Sequence, residues 1–153
     1  MPLSRTYHAA CLVSNFMVVI GGEHNSDMQD IWALDVEEHR WHNLVIDNRD
    51  TFKAKRFHSA NTISGSRIVT FGGCHSEYVH MNDVNIFDLS DFVNSEGQNH
   101  EIICIKLEFQ SGDGLPTTRW GHAASVYDDK LYILGGRNEC DISDLHCFDI
   151  EAN

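Results

Sequence analysis

The 153-residue sequence predicts an all-β chain, and three observations carry that prediction. A set of related residues recurs three times in register along the chain. Short apolar runs within each copy are bounded by Gly, Asn, Asp and Ser, as strands are. No segment of ten or more residues shows a 3.6-residue apolar period, and only Pro2 and Pro116 interrupt the pattern.

The repeated unit opens with Arg5-Thr-Tyr-His8-Ala-Ala, which returns as Arg56-Phe-His58-Ser-Ala and as Arg119-Trp-Gly-His122-Ala-Ala. An apolar run follows each opening and closes on a glycine pair: Gly21 and Gly22, Gly72 and Gly73, Gly135 and Gly136. After a polar stretch comes Asp30-Ile-Trp-Ala-Leu-Asp35, matched by Asp83-Val-Asn-Ile-Phe-Asp88 and Asp144-Leu-His-Cys-Phe-Asp149. From the histidine to the first glycine is 13, 14 and 13 residues, while Gly21 to Gly72 is 51 and Gly72 to Gly135 is 63. The longer second interval falls around Asp91 to His100 and Phe109 to Pro116, polar segments that read as loop insertions.

Strands follow in order. The first unit predicts them at His8–Val13, Phe16–Gly21, Ile31–Val36 and Trp41–Val45. The second predicts His58–Ile63, Arg67–Gly72, Val84–Leu89 and Ile102–Phe109, and the third His122–Tyr127, Lys130–Gly135 and Leu145–Ile150. The second strand of the first unit is apolar at successive positions, Val18, Val19 and Ile20, as a strand covered on both faces is. Glycines at its end remove side chains where another part of the chain must come close. Asp35, Asp88 and Asp149 sit where an Asx-type turn would start the next hairpin.

This unit resembles the kelch repeat, one four-stranded blade of a β-propeller, and the resemblance runs from about Arg5 to Asp149. It implies blade 1 over about residues 5–46, blade 2 over about 56–109, and blade 3 over about 119–153 without its fourth strand. Trp41 fits the tryptophan that the family carries after the third strand, whereas Glu101–Phe109 lacks one. The resemblance implies packing roles for the six paired glycines and Trp41. The repeated arginines are expected to tie each loop to an adjacent blade.

Composition limits the function classes. Lys plus Arg is 11 against 23 Asp plus Glu, a net charge of −12, which opposes nucleic acid or an anionic membrane and permits a basic protein partner. Five cysteines, an odd number without a CxxC pair, read as free thiols in a reducing compartment. With no signal-like start and no apolar run near 20 residues, the expected location is the cytoplasm, with the nucleus second.

His8, His58 and His122 occupy one position in three units, so the repeat opposes a shared metal. No GxSxG elbow or GK[ST] phosphate loop is present. The expected function is therefore a non-catalytic scaffold or adaptor, with no cofactor and no metal. Two alternatives are the targeting part of a larger enzyme, such as a ubiquitin ligase adaptor or a kelch-fused phosphatase, and a propeller enzyme acting on a small metabolite.

Function falls to the parts that differ between units, the loops joining strands two and three and those joining blades. His24, Tyr78, His80 and Arg137 are the expected partner-binding residues, with Met28, Met81 and Phe52 as further apolar anchors. Three blades leave two apolar faces uncovered. The chain is thus expected to be either a fragment of a larger propeller or half of a homodimeric ring.

Overall fold

The computed structural model describes residues 1–48, 50–76, 79–109 and 115–150, and the described residues are all-β apart from one short helix. Blade 1 contains β1 (Ala9–Val13), β2 (Phe16–Ile20), β5 (Ile31–Asp35) and β6 (Arg40–Ile46). Between β2 and β5 lies a small hairpin of β3 (Glu23–His24) and β4 (Ser26–Asp27). Blade 2 contains β7 (Ser59–Ile63), β8 (Arg67–His75), β9 (Val79–Asp88) and β10 (Glu101–Leu107), with α1 (Ser90–Asn94) before its last strand. Blade 3 contains β11 (Ala123–Tyr127), β12 (Lys130–Leu134) and β13 (Leu145–Asp149).

Pairing within each blade is antiparallel and in the same register, with Ala9 opposite Ile20, Ser59 opposite Phe71, and Ala123 opposite Leu134. This makes Ile20, Phe71 and Leu134 equivalent, and likewise Ile31, Val84 and Leu145. Two apolar layers form between blades. Val18, Ile20, Ile31 and Ala33 of blade 1 meet Ile68, Phe87, Ile102 and Cys104 of blade 2, and Phe71, Val84 and Ile86 of blade 2 meet Leu131, Ile133 and Phe148 of blade 3. Successive apolar positions are therefore needed, because a middle blade buries both faces.

Two sequence expectations are corrected here. The second-blade loop expected over Cys74 to Asn82 is mostly strand: β8 runs to His75 and β9 starts at Val79, with a bulge between Phe71 and Gly73. The insertion around Asp91 to His100 is more than a solvated loop. Its α1 turn buries Phe92 completely, 4.6 Å from the Phe16 ring, and His100 reaches His42 at 3.2 Å. β10 then starts parallel to the end of β6, so blades 1 and 2 share one eight-stranded sheet.

The repeat register also shifts by one residue. Thr6, Arg56 and Trp120 each bridge to the residue after the local glycine pair, and Tyr7, Phe57 and Gly121 share a left-handed φ of 57, 57 and 64°. The equivalents of Arg5 and Arg119 are thus Lys55, not Arg56. Arg5 Nη1 lies 2.7 Å from Asp30, Lys55 Nζ 2.6 Å from Asp83, and Arg119 Nη2 3.1 Å from Asp144. Each aspartate also accepts from the residue two positions on: Trp32, Asn85 or His146.

Of the three repeated arginines, Arg56 ties its loop to the adjacent blade through its side chain, at Glu23 and Asp27. The lead-in residues 5, 55 and 119 instead send their side chains to their own blade, and residues 55 and 119 tie blades through the main chain. Gly22 N–H donates to the Lys55 carbonyl at 2.9 Å, and Lys55 N–H donates to the Met28 carbonyl at 3.1 Å. One blade on, Gly73 N–H donates to the Arg119 carbonyl and Arg119 N–H to the Met81 carbonyl, each at 2.9 Å. The Asx turns form as expected at two sites: Asp35 accepts from the Glu37 and Glu38 amides, and Asp88 from that of Ser90.

The lead-in histidines pack into the same junctions. Burial holds His58 well below its ordinary pKa, with Lys55 adding to the effect, and burial followed by the Arg119 charge pushes His122 down to about 4. Both groups are neutral in the fold above that range, while the unfolded chain protonates near pH 6.5. Stability is therefore full above pH 6.5 and falls as pH drops from 6.5 towards 4. At pH 5 the His122 share alone is on the order of 2 kcal/mol. Urea midpoints at pH 7.5 and pH 5 check this, with His122→Gln expected to flatten the difference. A midpoint unchanged between the two would refute it.

Candidate protein-interaction face

Repeated positions pack the blades, so the positions that differ at one rim carry what is particular to this chain. Three sets of equivalents meet there: Thr6, Arg56 and Trp120; Tyr7, Phe57 and Gly121; and Glu23, Cys74 and Arg137. Their place at the start of each inner strand, beside the end of each second strand, puts them on the face of the strand-two to strand-three loops.

Aromatic rings cross this face from blade to blade. Tyr7 stacks on Phe57 with centroids 4.1 Å apart, and Phe57 lies 5.1 Å from Trp120. Tyr7 remains 51% exposed. Beside the row is a cleft of about 410 Å³ lined by Arg56, Phe57, His80, Trp120, Arg137 and Asn138. A second, more acidic cleft of about 550 Å³ holds Glu23, Asn25, Asp27, Arg56 and His75.

Arg56 forms the ridge between the clefts and sits 3.1 Å from both Glu23 and Asp27. Asp27 is almost fully buried and also accepts from the Ser76 amide, which fixes Arg56 across the blade 1 to blade 2 junction. Arg137 is half exposed and pairs loosely with Asp141 at 3.6 Å. Burial pushes the Cys74 thiol up, so this floor residue is a packing group rather than a thiolate nucleophile. Among the described residues, no group of three His, Cys, Asp or Glu side chains is placed to hold a metal ion. No helix among them is long and apolar enough to cross a membrane.

Of the residues expected at the interface, His80 and Arg137 line the same cleft. His24 lies apart on β3, exposed, with Nδ1 3.2 Å from the Ser4 hydroxyl. Tyr78 falls outside the described residues. Phe52 is corrected: it is fully buried between blades, edge-on to Phe87 at 5.1 Å, because the inter-blade loop turns its ring inward. Sequence reasoning missed Arg56, Phe57 and Trp120 as surface groups, since they stood inside the repeated opening. The signal was there in the spacing: Arg5 and Arg119 precede their histidines by three residues, Arg56 by only two.

The family model described as the KLHDC2/KLHL20/DRC7 Kelch-repeats domain matches residues 1–153. Among curated proteins, tip elongation aberrant protein 1 of Schizosaccharomyces pombe is 30% identical over 151 residues, covering 96% of this chain and 12% of that protein. Adagio-like protein 3 of Oryza sativa is 27% identical over 96% of the chain and 22% of its own length. Host cell factor 1 of Rattus norvegicus is 26% identical over 80% of the chain and 6% of its own length. The chain therefore spans under a quarter of each of these relatives. Domains of this kind are generally non-catalytic and serve protein interaction. Through the register of its three blades and the match along its whole length, the chain belongs to the kelch-repeat family.

Proposed function

We propose that this chain is an adaptor surface that holds a protein segment across the mouth of the three blades, on the row Tyr7, Phe57 and Trp120. The row carries the reading: three rings at equivalent or adjacent lead-in positions form one half-exposed apolar track across both blade junctions. Aromatic anchors in a polar rim are how protein interfaces concentrate their energy. Glu23 on one side and the exposed Asp141 on the other favour a segment whose apolar side chain is flanked by Lys or Arg, in keeping with the net charge of −12.

An array of unrelated peptides probed with the purified chain tests this. Peptides carrying an aromatic or aliphatic residue next to basic ones should be enriched. Phe57→Ala with Trp120→Ala should weaken their capture by more than about 30-fold, the scale of a hot-spot loss near 2 kcal/mol. Circular dichroism and thermal unfolding establish that the variant is folded. Equal capture by a folded double variant, or enrichment of acidic peptides, would sink the reading.

A further inference from the structure

The residues between β9 and β10 bring two histidines together where blades 1 and 2 meet at the rim. His42 stands on β6, on the face that blade 2 covers, at the position that blade 2 fills with Ile105. Its side chain is buried, edge-on to Phe16 and Phe92 with ring centroids 6.0 and 5.5 Å away. A Cβ added at Gly97 would come within 3.0 Å of the His42 ring, so the backbone of the insertion lies directly on it. His100 closes the contact, with Nε2 3.2 Å from His42 Nδ1. All of this lies at the Asp35 and Asp88 end of the strands, away from the glycine-pair end that carries the loop face.

The hydrogen bonds of this cluster run in one direction while both rings are neutral. Arg40 Nε–H can only donate, and at 3.4 Å it makes His42 Nε2 an acceptor. The His42 proton is then on Nδ1, from which it donates to His100 Nε2. A second proton on His42 has to sit on Nε2, where it meets the Arg40 N–H and that bond is lost. The charged groups around the ring do not offset this. Arg40 on β6 is a fixed cation, itself 2.9 Å from Glu38 in the β5–β6 turn, while Phe16 on β2 and Phe92 on α1 are apolar. Asp35 on β5 favours the charged ring, but its Oδ1 already accepts from the Glu37 and Glu38 amides. Burial, then Arg40, then His100 hold the His42 ring below its ordinary pKa, against Asp35 and the Gly97 carbonyl.

We propose that the His42–His100 contact is an acid-sensitive lock on the rim pairing between blades 1 and 2. It bears on that pairing directly. The His100 carbonyl accepts from the Val45 amide at 2.8 Å and the Ile102 carbonyl from the Asp47 amide at 3.1 Å, the bonds by which β10 joins β6. With His42 neutral, the insertion rests on its ring and Phe92 stays against Phe16. With His42 charged, the insertion lifts from the ring, these two bonds open, and the antiparallel pairing inside each blade persists. In the opened rim the ring is solvated and titrates near pH 6.5. The closed rim is therefore fully favoured above about pH 6.5 and loses ground as pH falls below it. Opening uncovers Phe16 and Phe92, an apolar surface that the protein presents only in acid. This goes beyond the loop-face reading and does not rest on it.

Amide hydrogen exchange of the whole chain at pH 7.5 and pH 5, corrected for the intrinsic rate at each pH, tests the lock. Protection of the Val45 and Asp47 amides should fall, relative to the β2 amides, by more than about fivefold. That is the lower end of what one broken buried hydrogen bond is worth. Taking the ratio to β2 separates this local opening from the global loss that His58 and His122 bring, which lowers both sets together. Neither His42→Phe nor His42→Gln can take up a proton at residue 42, and in each the ratio should stay constant between the two pH values. A constant ratio in the wild-type chain overturns the proposal. So does a fall that persists in either variant when folded.

Discussion

Asp83→Asn should lower the free energy of unfolding by about 3–5 kcal/mol, the range found when one partner is removed from a buried ion pair. The Lys55 side chain is fully buried, with Nζ 2.6 Å from Asp83 and 5.0 Å from the centre of the Phe52 ring. Burial pulls the Lys55 pKa down, and the Asp83 carboxylate opposes that pull. With an amide in its place, the ammonium keeps a hydrogen bond but loses its countercharge, and its pKa falls further. Unfolding the variant then takes up a proton, so its stability should rise with pH in the alkaline range. Lys55→Met should be milder, because the Asp83 side chain is 17% exposed and keeps its bond from Asn85. Chemical denaturation of the three proteins measures this order. A loss below about 1 kcal/mol for Asp83→Asn would mean that water reaches the pair in solution.

Gly72→Ala and Gly135→Ala should differ greatly, although the two glycines share φ values of 61 and 64°. Both substitutions carry the same left-handed strain, on the order of 1–2 kcal/mol. At Gly72 the new methyl would also lie 2.7 Å from the Arg119 carbonyl, a backbone atom that cannot swing aside without parting blades 2 and 3. Overpacking of that kind adds about 1–3 kcal/mol. At Gly135 the nearest neighbour is the Ile142 carbonyl at 3.2 Å, and the strain stands nearly alone. Thermal unfolding of both variants should show the larger drop at Gly72. Equal drops would mean that backbone conformation alone accounts for these glycines.

The strands and blades were legible in the sequence because repetition tests each reading three times. Of the strands expected at the third unit, every one forms within a residue of its place. What was hidden needed a partner far along the chain. Arginine at residue 56 outweighed its neighbour Lys55 by chemical likeness to Arg5 and Arg119, and only the pairing of cations with Asp30, Asp83 and Asp144 settles the register. The spare residue in the second unit belongs to the turn over 64–66, which is one longer than those at 14–15 and 128–129. Phe92 went unseen as a core group because a single aromatic in a run of Asp, Asn, Ser and Glu has no local period to mark it. Of the residues expected to bind a partner, His80 and Arg137 line the cleft beside the aromatic row. That row spans residues 7 to 120 and exists only once the blades are side by side.

The rim seam between β6 and β10 has a consequence for how the molecule comes apart. Blades 1 and 2 are joined at the rim by backbone pairing and by the Phe92 latch, whereas blade 3 is held by side-chain packing and its lead-in bonds. The first two blades therefore open as one cooperative unit, and blade 3 is the part that can detach in local fluctuations. Amide hydrogens of β12 should exchange through this smaller opening, ahead of those of β2 and β9 in the fused sheet. A propeller of this family is commonly pictured as a ring of like members. This chain is a clasped pair with a looser third blade, and the direction in which it yields is set by the eleven residues over 90–100, where blade 1 has only the four-residue turn 36–39.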